Sequence, residues 1–193
     1  MKKLVMIVIF TLLLTACGEV QQQNTTNPAT STVLNKEELD LERKVIEGDF
    51  ELAIYTKKAQ YAVNELIDVY AELTYIGELD EVEIGHAMYP VGFNIMEHTR
   101  KIDIGGSMNE PYIVTHLMRN EPIQYKYSFS GGYSSEDGEE YVAFAKDLQD
   151  NQLPQGEYTI TAVASFNIHG QESEPTYGFN TSISFIVGSD EVQ

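Results

Sequence analysis

The sequence predicts an all-β protein: an immunoglobulin-like antiparallel β-sandwich with one short helical insertion and a flexible N-terminal tether. Three observations predict this class. Apolar and polar residues alternate along several short segments, turn residues separate these segments, and helical patterns do not alternate with them. The 193-residue chain leaves one domain's worth of sequence after the tether, enough to bury a hydrophobic core.

The start of the chain has the pattern of an export signal. Lys2 and Lys3 precede an apolar run over residues 4–14, which is too short to span a bilayer as a helix. The residues Leu14-Thr15-Ala16-Cys17 resemble the lipobox of bacterial lipoproteins. This resemblance implies a signal peptide over 1–16, cleavage before Cys17 and attachment of a diacylglycerol to its sulfur.

Cys17 is the single cysteine of the chain. Two acyl chains give lasting membrane attachment, so the resemblance implies a lipid-anchored protein on the extracytoplasmic side of the cell membrane. Once Cys17 is lipidated, no thiol remains for a disulfide, a catalytic nucleophile or a thiolate metal site. The alternative is a stray buried cysteine after a hydrophobic stretch.

Residues 17–34 form the predicted tether. Residues 18–31 are rich in Gln, Asn and Thr and bury too little apolar surface to offset the cost of ordering. A flexible chain of this length reaches about 20–25 Å. We expect it to hold the domain clear of the lipid headgroups.

The charge balance is strongly acidic, with 12 Lys and Arg against 30 Asp and Glu and a net charge of −18. Removal of 1–16 takes away two lysines and leaves about −20. Such a surface repels nucleic acid and anionic lipid, so we expect no nucleic-acid partner. Solubility is the simplest interpretation; a cation or a basic partner is the alternative.

The folded part is expected to begin with a short helix over 35–47, with Asn35 as its N-cap and Gly48 at its end. The predicted sandwich covers 48–188. Residues 67–75 show the clearest strand pattern, because the odd positions are apolar and most even ones are polar. The same alternation predicts strands at 50–54, 82–88, 91–97, 112–118, 123–129, 158–166 and 183–187.

One segment has helical periodicity instead. Tyr141, Phe144, Ala145 and Leu148 follow i, i+3, i+4, i+7 spacing, and Asp137 is the expected N-cap. We expect this helix to lie across one end of the sandwich. Tyr158, which follows a Pro/Gly turn, is either a tyrosine corner that bonds upstream backbone or an ordinary strand residue.

Residues 50–187 are similar to the intracellular proteinase inhibitor (BsuPI-like) group of immunoglobulin-like domains. The residues that carry the resemblance are 50–54, 61–65, 73–77 and 153–158. They are fold-determining positions. The export signal and the insertion over 137–150 depart from that group, and no inhibitory residue transfers to a position in this chain.

The sequence contains no recognisable catalytic constellation, cofactor motif or metal motif. Ser130-Gly131-Gly132 lacks the strand-to-helix turn of a nucleophile elbow and is interpreted as a flexible turn. The four histidines, His86, His98, His116 and His169, are scattered singly, although folding can bring such residues together. We therefore expect no catalytic residues, no cofactor and no metal ion.

Two further features bear on recognition. His86 lies on an apolar strand face, where a satisfied structural histidine is favoured over a ligand-binding or pH-sensing one, and Met88-Tyr89-Pro90 beside it is expected to expose aromatic surface. The acidic run over 136–140 is interpreted as helix capping and solvated charge, with a weak calcium site as the alternative.

The leading functional hypothesis is a non-enzymatic binding or interaction module held at the membrane by its lipid. Its partner is expected to be a protein or another component of the cell envelope. Two alternatives stay open: a protease inhibitor of the BsuPI-like type, and an enzyme with an unrecognised site.

Overall fold

The computed structural model describes residues 39–106, 111–149, 153–171 and 176–188. The predicted signal peptide, Cys17, the predicted tether and residues 35–38 lie outside this part. The described part contains eleven strands and one helix: β1 (Glu42–Glu47), β2 (Phe50–Thr56), β3 (Gln60–Tyr61), β4 (Val69–Tyr75), β5 (Glu81–His86), β6 (Val91–Glu97), β7 (Ile102–Ile104), β8 (Ile113–Met118), β9 (Ile123–Lys126), α1 (Glu139–Gln149), β10 (Gly156–Ile168) and β11 (Tyr177–Val187).

The strands form two sheets. The first is antiparallel throughout, in the order β1-β2-β4-β9. The second is built around β10, the longest strand, which pairs with β11 along eleven residues. On its other side β10 pairs first with β6, up to Ala164, and then with β5, from Asn167.

The second sheet therefore forks along β10. β7 extends the β6 branch and β8 extends the β5 branch, both antiparallel. At the opposite edge, β3 pairs with β11 in parallel. The sheet is thus mixed, whereas the sequence predicted antiparallel pairing alone.

The core lies between the two sheets. Alternate residues of β2, β4, β10 and β11 point inward, and most of them are almost completely buried. Phe50 on the first sheet packs edge-on against Phe166 on the second, with ring centroids 4.8 Å apart. This arrangement confirms the predicted all-β sandwich with one helical insertion.

The helix predicted over 35–47 is wrong from Glu42 onwards, and the sandwich begins there. β1 forms a hairpin with β2, in register from Glu42↔Tyr55 to Glu47↔Phe50. Gly48 does not end a helix; it has a φ of 55° and starts the two-residue turn. A helix this short is marginal alone, whereas the hairpin aligns all six residues of β1 with β2 and covers half-buried Val45.

The inserted helix is confirmed, with a different cap. The carbonyl of Gly138 accepts the first helical hydrogen bond, from the Val142 N–H, so Gly138 is the N-cap and not Asp137. The Asp137 carboxylate instead accepts a hydrogen bond from the Ser134 N–H (2.6 Å). Phe144 stacks on Tyr158 at the start of β10, where α1 covers one end of the core.

Tyr158 forms the tyrosine corner. Its hydroxyl donates to the carbonyl of Pro154, four residues upstream, at 2.7 Å. Burial raises the pKa of Tyr158, so the hydroxyl keeps its proton and remains a donor.

Within the described residues, no helix is long and apolar enough to cross a membrane.

Candidate binding surface

A groove of about 470 Å³ opens where the second sheet forks. The loop between β5 and β6 crosses the gap between the two branches, and the Pro90 carbonyl accepts a hydrogen bond from the Ser165 N–H (2.9 Å). Gly92, Val163, Ser165 and Asn167 are among the lining residues. They share one side of the sheet, because the strand register places them at alternate or directly opposite positions.

Two tyrosines provide the aromatic surface of the groove. Tyr89 and Tyr112 are 58% and 57% exposed. Tyr112 is fixed from two sides, since its hydroxyl lies 3.0 Å from Nδ1 of His169 and its ring covers Gly85. A Cβ at position 85 would come within 2.2 Å of the Tyr112 hydroxyl, so this position requires glycine for the ring to stay where it is.

His86 lies at the base of the groove with both ring nitrogens engaged. Nδ1 lies 2.7 Å from the Ala87 carbonyl, and Nε2 lies 2.7 Å from the hydroxyl of Thr115. A neutral ring satisfies both contacts, with Nδ1–H donating to the carbonyl and Nε2 accepting from the hydroxyl. Burial lowers the pKa of His86, although the bond to Ala87 acts in the opposite direction. The predicted satisfied histidine is confirmed.

No Asp, Glu, Lys or Arg lines this groove, as far as its described residues go. Besides His86 and the two tyrosines, its polar side chains are amides and hydroxyls, at Asn94, Ser165, Asn167 and Thr176. A smaller depression of about 300 Å³ adjoins it across Tyr89, Gly92 and Phe93 and adds one lysine, Lys126. The main groove is thus suited to an uncharged ligand with both apolar and hydrogen-bonding parts.

The groove continues into a wider surface, which we call the neutral face. It comprises the outward side chains of β6, β10 and β11. The neighbouring strands β10 and β11 are joined there by two hydrogen bonds between side-chain hydroxyls, which we call the hydroxyl pairs. Thr159 bonds with Ser184 and Thr161 with Ser182, each at 2.8 Å. Along the described outward positions of the three strands, Glu157 at the start of β10 is the only charged residue.

The opposite outer surface has a different chemistry. We call it the charged face and define it as the outward side of β1, β2 and β4. Lys44 forms ion pairs there with Glu42 (3.1 Å) and Glu51 (3.3 Å), and Glu72 lies on the neighbouring strand. Charge is therefore distributed unevenly between these two sets of three strands, although β7 and β5 of the second sheet carry Asp103, Glu81 and Glu83 outside the neutral face.

The other predicted site residues are not brought together. His98 contacts Thr159 (2.8 Å), His116 pairs with Glu83 (3.1 Å), and His169 contacts Tyr112. The acidic run over 136–140 is exposed, and Ser130 lies in an irregular segment instead of an elbow. No group of three or more His, Cys, Asp or Glu side chains in the described part of the chain is arranged to hold a metal ion.

One fully buried acid, Glu97 at the end of β6, was not predicted from the sequence. Its carboxylate accepts hydrogen bonds from the N–H groups of Thr99 (2.9 Å) and Arg100 (2.6 Å) and also pairs with the Arg100 guanidinium (3.4 Å). Gly156 leaves room for it, since a Cβ there would lie 2.4 Å from Oε1. These contacts account for Glu97 as a cap of the turn between β6 and β7.

His86 and Tyr89 were predicted from the sequence, whereas Tyr112 and the neutral face were not. The signal for the neutral face was present, because the outward positions Thr159, Thr161, Val163 and Ser165 lack charge in a chain that is 22% charged. No sequence pattern indicated that Tyr112 belongs to the groove, since only the fold brings its ring over Gly85.

Comparison with known proteins adds no assignment. No family model matches the chain, and no curated protein matches it either. The similarity to the BsuPI-like group thus stays a prediction, and no described residue is assigned to protease inhibition.

Proposed function

We propose that this protein is a lipid-anchored, extracytoplasmic binding module without enzymatic activity, and that it binds its partner in the groove between Tyr89 and Tyr112. The observation that carries the proposal is the groove itself, an uncharged aromatic depression of about 470 Å³ on an otherwise acidic protein. Binding sites in proteins commonly have volumes of about 300–1,000 Å³ and combine apolar walls with a few polar groups.

The placement of the two tyrosines supports this proposal. An exposed aromatic ring leaves much apolar surface in water, and a bound partner that covers it gains favourable burial. Tyr112 is already held in position by His169 and by the lack of a side chain at Gly85. Binding therefore costs little ordering of this ring, which favours affinity.

The anchor is tested separately from the binding site. Cells that express the full chain are fed an alkyne fatty acid, and the purified protein is assayed for label. We expect the wild-type chain to carry the label and the Cys17→Ser chain to carry none. Label that persists in the Cys17→Ser chain would show that the lipidation assignment is wrong.

The binding site is tested by capture from envelope extracts. The bait is the mature chain without residues 1–16, made with Cys17→Ser so that it needs no lipid. We expect it to retain an envelope component, and we expect Tyr89→Ala to reduce the retained amount at least tenfold. Tyr133→Ala is the matched control, because Tyr133 is also an exposed tyrosine (41%) but lies near α1.

Thermal unfolding of both variants confirms that they are folded. Equal capture by the wild type and Tyr89→Ala would contradict the proposed site. Failure of the folded wild-type chain to capture any envelope component would contradict the binding function.

A further inference from the structure

The neutral face differs in composition from the rest of the chain. Apart from Glu157 at the start of β10, its outward positions along the three strands are hydroxyl, amide or apolar residues: Gly92, Asn94, Met96, Thr159, Thr161, Val163, Ser165, Asn167, Gly178, Asn180, Ser182, Ser184 and Ile186. The chain as a whole has 30 acids and 12 basic residues. A surface that served solubility alone would be expected to carry its share of these charges.

The neutral face and the groove form one continuous surface. Thr161 lies directly opposite Asn94, and Val163 directly opposite Gly92, and both Asn94 and Gly92 line the groove. The segment of β10 between Thr159 and Asn167 therefore extends from the hydroxyl pairs to the groove. Its length is about 26 Å at the usual rise of a strand. This length suits an extended oligomer better than a single small molecule.

The polar groups on this surface restrict the chemistry of its ligand. Hydroxyls and amides both donate and accept hydrogen bonds, and the exposed rings of Tyr89 and Tyr112 offer apolar contact. A phosphate, carboxylate or ammonium group buried here would lose its hydration without gaining an opposite charge. The complementary ligand is therefore neutral, rich in hydroxyls and apolar on one side of its rings.

A peptide that adds as an extra strand cannot pair with the two strands that line the groove, β6 and β10. β10 already pairs on both sides, with β11 and with β6. The outer edge of β6 is covered by β7 and then by Gly106, whose N–H donates to Asn94 (2.8 Å). β11 pairs with β3 only at Ile186 and Val187. A ligand that lies across β6 and β10 must therefore bind through side chains, whereas strand addition uses backbone groups.

We propose that the ligand is a neutral oligosaccharide that lies along the neutral face with one end between Tyr89 and Tyr112. This inference rests on the proposed binding function and specifies its partner as a neutral glycan chain of the cell envelope. The sugar hydroxyls bond to the Thr, Ser and Asn side chains, and the C–H side of a terminal ring packs on the tyrosines.

The test is an array of immobilised neutral glycans and of anionic glycans that carry carboxylate, phosphate or sulfate groups. The probe is the mature chain with Cys17→Ser. We expect binding to neutral glycans and none to anionic ones. For the best neutral glycan, Ser182→Lys should weaken binding at least tenfold, because the lysine places a charge beside Thr161 on the central strand of the face.

Two further variants make the result specific. Thr74→Lys is the matched control, since it places the same side chain on the charged face opposite Glu51 and should change the affinity less than twofold. Thr161→Val keeps the shape of the side chain but removes the hydroxyl that pairs with Ser182, and it should weaken binding severalfold. Thermal unfolding confirms that each variant is folded.

The outcomes separate this inference from the proposed function. No binding to any neutral glycan, together with Tyr89-dependent capture of an envelope protein, would overturn the glycan assignment and leave the binding function standing. Preference for anionic glycans, or equal losses for Ser182→Lys and Thr74→Lys, would also overturn it. Loss of both glycan binding and envelope capture would contradict the two proposals together.

Discussion

The charged face and the neutral face have the same structural role but different chemistry. Both cover a sheet whose inner side is almost completely buried, and both alternate with that inner side residue by residue. The charged face carries ion pairs around Lys44, whereas the neutral face carries hydroxyl pairs along β10 and β11. Under the proposed function, this difference reflects a demand made by the partner.

The largest expected effect is a loss of stability, and it distinguishes the inward side of β10 from its outward side. Ile160 is fully buried between Ile95 and Ile183. Ile160→Ala should lower the free energy of unfolding by about 2–5 kcal/mol, because it removes buried methyl groups and leaves a cavity. The adjacent Thr161→Ala should cost less than about 1 kcal/mol. Urea unfolding measures both, and similar losses would show that the neutral face belongs to the stability of the fold.

The next effect concerns the groove end of the neutral face. Gly85→Ala adds a methyl group where the Tyr112 ring now lies, so the ring must move. We expect envelope capture to fall about tenfold, equivalent to about 1.4 kcal/mol, while the urea midpoint changes little. Tyr112→Ala should give a similar loss. Full capture by Gly85→Ala would show that the position of Tyr112 does not matter for binding.

A smaller effect depends on pH. Burial lowers the pKa of His86 in the folded chain, so stability is complete above the unfolded pKa of about 6.5. Below that pH the unfolded chain takes up a proton that the folded chain lacks, and stability falls until His86 itself titrates. Between about pH 7.5 and about pH 5.5, the wild type should therefore lose more unfolding free energy than His86→Gln. Identical pH dependence in the two chains would contradict this account.

The smallest expected effect is on the charged face. Lys44→Ala removes both ion pairs of this exposed lysine, and such pairs contribute little because water screens them. The urea midpoint and envelope capture should both stay unchanged. A clear loss of capture would show that the partner binds the charged face and would contradict the proposed site.

The sequence predicted the sandwich because its strongest strands alternate cleanly. Residues 69–75 and 158–166 each bury every second side chain, and this periodicity survives in the sequence. The weak cases failed for physical reasons. β1 is exposed and charged, so its strand character comes from pairing with β2 and not from a buried side. β3 and β7 are only two and three residues long.

The candidate site was harder to predict than the fold. His86 and Tyr89 were identified because they follow an apolar strand pattern. Tyr112 lies about twenty residues further along the chain, and only the pairing of β5 with β8 brings it over Gly85. A site assembled by a fork in a sheet depends on strand order, which local periodicity does not encode.

The central claim is that the neutral face, and not the charged face, meets the partner in the cell. With Cys17 lipidated, Ser165→Cys and Lys44→Cys each introduce a single reactive thiol at an exposed position, one beside the groove and one on the charged face. Labelling with a membrane-impermeant maleimide is compared between intact cells and the purified protein. We expect Ser165→Cys to be protected in cells and Lys44→Cys to react equally in both. Equal reaction at Ser165→Cys, or protection at Lys44→Cys instead, would contradict the account.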